Sequence, residues 1–347
     1  MPLKNRLSTN KNSIMLENSD DTLLSINTTS TTIKKLYKYN EIPEWQKDNH
    51  YILDGYVKET NSINACLHSL TYLHNESVNI YTHFIPGFLF PLSLVILSPI
   101  LLFVYYEYFS SSSSSSASSS SILFPFLPFL DIPLHDQNRK DLNLLLTDRI
   151  FFSIFFIGFT CCLSLSACFH CLKSHSYRIM VFGNQLDYFG IVILIVTSMV
   201  GIIHFSLIDD LKNRYIFQFM IISLGLLCSW VSLNSKFRSA KWRPFRATMF
   251  VLFGLSGLIP ISFGFFKLGI SETYNRAGLK FVILEALGYI FGAFLYAIRF
   301  PESLKPGLFD IWGHSHQLFH ILVVVSAYCH YKGLISAYNY CYESTLL

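Results

Sequence analysis

The chain has 347 residues, of which 52% are hydrophobic and 14% charged, with 32 phenylalanines and a mean hydropathy of +0.40. Soluble domains carry about 25% charged residues, so this is the composition of a membrane protein. The net charge of +4 is small and lies mostly in loops, which argues against a nucleic-acid partner.

Residues 1–75 are rich in Lys, Asn, Ser and Thr and read as a polar, partly disordered N-terminal region. No basic stretch followed by a short apolar run opens the chain, so no cleavable signal peptide is expected. From residue 76 to 338 apolar runs dominate, and seven of them reach the roughly 20 residues a spanning helix needs. The first, 83–106, holds Pro86 and Pro91 and is the least regular. An insert follows at 107–149, with "SSSSSSSASSSS" (110–121) as a flexible stretch. The patch "ILFPFLPFL" after it is too short to span and suits the membrane surface. The remaining spans are 150–172, 187–207, 214–233, 247–267, 279–299 and 314–335, and 339–347 form a short tail. The sixth contains Gly288-Tyr-Ile-Phe-Gly292, a small-xxx-small face suited to close helix contact.

Of the 26 Lys and Arg residues, 17 fall on the side that includes the N-terminus, and the densest group is "KFRSAKWRPFR" (236–246). Basic loops stay inside, which gives a cytoplasmic N-terminus and an outside or lumenal C-terminus. The fold class is therefore an all-α, seven-helix membrane bundle. The eight cysteines mostly lie in or beside apolar runs, where free thiols act as small hydrophobes. Cys168 and Cys171 have C-x-x-C spacing, but a structural thiolate site would need a second such pair.

Ionisable residues inside spans are functional candidates. Alternation of the helices puts His170 at the end of the second span, Asp187 at the start of the third, and His316 and His320 at the start of the seventh in one leaflet. His316 and His320 are i, i+4 and share a helix face; Ser166 is i−4 to His170. Three histidines with an open fourth position fit a catalytic zinc site, where the metal lowers the pKa of water towards about 7. Asp187 would take the proton. Blander readings stay open at this point. His170 alone suits an interhelical hydrogen bond, Asp187 a helix N-cap, His314 interfacial water, and His175, His204 and His330 packed or interfacial positions. Glu285 either serves a substrate path or pairs with a neighbour.

"HNESVNIYTH" (74–83), "SACFHCLKSHS" (166–176), "LDYFGI" (186–191), "RFPE" (299–302) and "PGLFDIWGHSHQLFHILVV" (306–324) resemble the progestin and adipoQ receptor family. The likeness runs from about residue 40 to 335. It is nearest the adiponectin-receptor branch and its fungal members implicated in zinc and sterol homeostasis. The resemblance implies a zinc ion on His170, His316 and His320, with Ser166 and Asp187 beside it. It also implies ceramidase-like amide hydrolysis, with Asp187 as base and then acid, a ceramide-like lipid as substrate and lipid signalling as the outcome. The alternative is a non-enzymatic receptor or sensor with structural zinc. A zinc transporter is weaker, because the best ligands lie at one depth. A protein ligand is left open, since the insert faces the side where a hormone would bind. The membrane of residence stays open among plasma membrane, endoplasmic reticulum and vacuole.

Overall fold

The computed structural model describes residues 36–89, 91–92, 141–237 and 242–343. Most of the first expected span, the Ser-rich stretch and the apolar patch after it lie outside these. The described residues are all-helical; Tyr37 and Tyr56 form an isolated antiparallel bridge. Two short helices, α1 (Ile63–Ser69) and α2 (Ser77–Phe84), precede the long ones, and a π-helical turn (Ile85–Leu89) leads on from α2. Then come α3 (Asp141–Leu172), α4 (Tyr177–Ser206), α5 (Leu211–Leu233), α6 (Arg243–Leu255) and α7 (Leu258–Leu268). The chain ends with α8 (Ile270–Arg276), α9 (Leu279–Ile298) and α10 (Ser315–Glu343).

Six segments among the described residues are long and apolar enough to cross a membrane, the fourth of them formed by α6 and α7 together. Four of the expected spans differ clearly, the second because α3 begins at Asp141, inside the expected insert. The third span begins at Tyr177 rather than 187, because Arg178, Asn184 and Gln185 interrupt the hydropathy but not the helix. Asp187 is thus ten residues into α4 and caps nothing. The fifth breaks at Ser256-Gly257. Pro260 has no N–H for the Ser256 carbonyl and its ring crowds that group, and the Ser256 hydroxyl turns back to Phe253 O at 2.6 Å. The seventh continues past 335 to Glu343.

Large apolar side chains face outward, as with Phe266 at 93% and Phe219 at 73% exposure. In lipid these gain nothing by burial, so the helices are held by close packing and polar contacts. Glycines permit the approach. A Cβ at Gly190 of α4 would sit 3.1 Å from Cys162 Cα of α3. One at Gly292 would meet Phe319 of α10 at 3.1 Å, and one at Gly288 would fall on the Ser326 hydroxyl. The small-residue face of the sixth span packs as expected. Inside, Phe155, Phe205, Leu279 and Leu334 join α3, α4, α9 and α10, while Val192, Ile203, Ile221 and Phe253 join α4, α5 and α6.

Candidate metal centre

The site begins with two long helices whose ends meet at one level. α3 delivers His170 near its C-terminus. α10 delivers His316 and His320 from its first two turns. Helix α10 starts where it does because the buried carboxylate of Glu302 accepts from Ser315 N–H at 2.7 Å and from its hydroxyl, satisfying donors that a helix start leaves free. The three imidazole centroids form a near-equilateral triangle, 4.9 Å for His170–His316 and 4.8 Å for the other two pairs. One nitrogen from each lies within 4.8 Å of the others.

Hydrogen bonds fix the tautomers of two of the three. His320 Nδ1 faces the carbonyl of Asn79 at 3.0 Å. A carbonyl only accepts, so Nδ1 carries the proton and Nε2 keeps its lone pair. His170 Nδ1 faces Glu76 Oε2 at 2.7 Å, which imposes the same tautomer. Its Nε2 is buried and has no hydrogen-bond partner. An orphaned, lone-pair nitrogen beside two further imidazoles is a donor set that suits a divalent metal with nitrogen preference, zinc included.

Glu76 is the residue that sequence reasoning missed. Its other oxygen accepts from Lys173 Nζ at 2.6 Å. Burial alone would raise the Glu76 carboxyl, but the Lys173 ammonium and the His170 ring overcome that and hold it well below the usual carboxylate range. The residue lies 94 positions from His170, in a loop ahead of α2, where no spacing rule reaches. The only signal was its place in the "HNES" motif. His83 was missed too; it stacks on His320 with centroids 3.8 Å apart.

Asp187 is half-buried on α4, where it feels His170 and the Ser166 hydroxyl most strongly among nearby polar groups. Ser166 itself is buried. All five candidate residues thus belong to one neighbourhood. His314, expected in interfacial water, is instead buried, with Nε2 3.2 Å from Asn75 O. His204 and His330 are packed elsewhere, against Asp148 at 2.7 Å and Glu285 at 2.8 Å. Glu285 therefore pairs with a neighbour. The eight cysteines are free thiols.

A family model described as haemolysin-III related matches residues 71–331. The chain belongs to that family. It is 44% identical over 309 residues to the ADIPOR-like receptor IZH2 of Saccharomyces cerevisiae, covering 88% of this chain and 85% of that protein. It is 34% identical over 300 residues to the adiponectin receptor protein of Drosophila melanogaster, covering 86% of this chain and 59% of that one. Identity to the heptahelical transmembrane protein ADIPOR1 of rice is 30% over 317 residues, or 87% and 84% of the two lengths. The progestin and adipoQ receptor likeness read from the motifs is borne out. The chain is an adiponectin-receptor-like, multi-pass integral membrane protein.

Proposed function

We propose that this membrane protein is a zinc-dependent, ceramidase-like amide hydrolase acting in lipid signalling, with its N-terminus in the cytoplasm. The observation that carries the reading is the pair of pinned imidazoles, His170 and His320, whose Nδ1 atoms are committed to Glu76 and Asn79, which leaves Nε2 as the nitrogen each has to offer a metal. His170, His316 and His320 would hold the metal. Zinc bound there supplies Lewis acidity and lowers the pKa of water to about 7. Asp187 accepts a proton at its carboxylate and returns it to the leaving amine. The Ser166 hydroxyl orients Asp187 for both transfers. Apolar walls between the helices hold the acyl chain and keep bulk water away.

The test is ceramide turnover in detergent by Asp187→Ala alongside metal analysis. Turnover should vanish while zinc stays largely bound, because the aspartate is not among the three ligands. Equal activity in the variant rules the mechanism out. A second reading, a receptor or sensor with structural zinc, draws support from the way His170 and His320 tie α3 and α10 to the α2 region. In that case His316→Ala loses metal and thermal stability together and Asp187→Ala leaves signalling intact.

A further inference from the structure

Amide hydrolysis consumes one water per turnover. The C–N bond breaks, the water oxygen joins the acyl carbon, and one water proton goes to the amine. On the reading above the acyl chain comes from the membrane, so water has to reach the histidines by another route. A cavity of about 30 Å³ lies between the N-terminal segment and the end of α3, with Gln46, Ser69, His74, Glu76, His170 and Lys173 in its wall. Tyr56, Val57 and Cys171 add apolar surface between these polar groups, and the cavity touches the histidine centre through His170.

Two atoms of that wall are buried without a hydrogen-bond partner, Gln46 Oε1 and His74 Nε2. Their side chains are more than nine-tenths buried, with Gln46 at 8% and His74 at 3% exposure. The chemistry of each follows from its committed neighbour. His74 Nδ1 accepts the Glu76 backbone N–H at 3.2 Å, so Nε2 bears the proton and is a donor. Gln46 Nε2 donates to Val57 O at 3.2 Å, leaving Oε1 as an acceptor. One unmet donor and one unmet acceptor beside a carboxylate complement a molecule that both accepts and donates. A water needs roughly 10–15 Å³ of such space and two to four polar partners, so this volume suits one or two. Burying a polar group without a partner is costly, so the two unmet groups favour a bound water.

We propose that this cavity is a water site that serves the histidine centre from the side of the N-terminal segment, with His74 and Gln46 as its positioning residues. It rests on the hydrolase reading for its purpose, but its occupancy does not. X-ray hydroxyl-radical footprinting of the full-length, zinc-loaded protein in heavy-oxygen water tests both separately. Ordered water generates radicals where it sits, so the buried wall residues Tyr56 and Cys171 should take up label in the wild type. In His74→Phe with Gln46→Leu, label at those two positions should fall to background while zinc content is unchanged. Ceramide turnover should drop about tenfold in kcat with KM unmoved. Wild-type label at background, or label undiminished in the variant, overturns the water site. Absence of wild-type turnover with label present instead sinks the hydrolase reading alone. Should the double variant not fold, Gln46→Leu by itself gives the same labelling comparison, since Gln46 ends a three-residue turn.

Discussion

Glu76 shows how one side chain governs a site that its sequence position does not announce. It fixes the tautomer of His170 and neutralises Lys173 at once. Glu76→Gln keeps an oxygen for the His170 N–H but strips the charge that Lys173 needs. Partners of metal-binding histidines are worth about 10–100-fold in affinity, and a loss of that size is expected in a chelator competition. A loss under threefold would place Glu76 outside the centre. The acid behaviour has a defined sign. A carboxyl whose folded pKa is depressed stabilises the fold above its unfolded value, near 4.3, and that contribution disappears as pH falls through the lower folded value. Metal should leave earlier, because ligation requires neutral imidazole. Bound zinc measured across a pH series is thus expected to be gone by pH 4, with the Glu76–Lys173 pair still formed. The three histidines were readable because i, i+4 spacing and helix alternation are local rules. Glu76 was not, because its partnership arises only when the α2 region folds against α3.

At the scale of the helices, alternation grouped Asp187 with His170, which influences it electrostatically, although the start of its helix was misread by ten residues. A hydropathy window ends where Gln185 and Asn184 begin, but both are tolerated by a helix whose backbone groups are already paired. The break between α6 and α7 was also unread, since Pro260 lies inside an otherwise apolar run. On the hydrolase reading the gap between α3 and α4 matters most, because Asp187 on α4 would act beside Ser166 and His170 on α3. Gly190 controls that gap, with Cys162 backbone carbon 3.1 Å from where its Cβ would stand. Gly190→Val must push the helices apart, at about 1–3 kcal/mol for overpacking. The melting temperature in detergent should fall, and turnover should fall further than zinc content, because α4 contributes no metal ligand. Zinc and activity lost in parallel would mean that the helix pair acts only through global stability.

Across the whole molecule, the described part of the N-terminal region is not a free tail but a strap over the loops next to the histidine-bearing ends of α3 and α10. Thr60 N–H bonds Ser174 O at 2.9 Å, Leu53 N–H bonds Asp310 at 2.8 Å, and Arg299 reaches the Asp48 carbonyl at 3.0 Å. Composition showed a polar stretch there, and a polar stretch reads as solvated unless its partners, 114 to 257 residues on, are known. Glu302, in the loop after α9, joins the strap to α10, taking hydrogen bonds from Asn49 at 3.1 Å and from Ser315 at the head of that helix. Glu302→Ala strands those buried donors, a loss of about 1–3 kcal/mol, and frees the turn that carries His316. Both melting temperature and zinc affinity should therefore drop. Asp210 supplies the control from the opposite end of the bundle, where it caps α5 through Asn213 N–H and pairs with Lys267. Lys267, followed by Asn213, holds its carboxyl down at about 2. Its contribution is complete above about pH 3.9 and is lost as pH falls through about 2. Asp210→Ala should lower the melting temperature at neutral pH, and the gap from wild type should close as pH approaches 2. Its zinc affinity at neutral pH should match wild type, because nothing in that cap touches the strap or the histidines. If Asp210→Ala weakens zinc as much as Glu302→Ala does, the centre depends on bundle stability as a whole and the strap has no special hold on it.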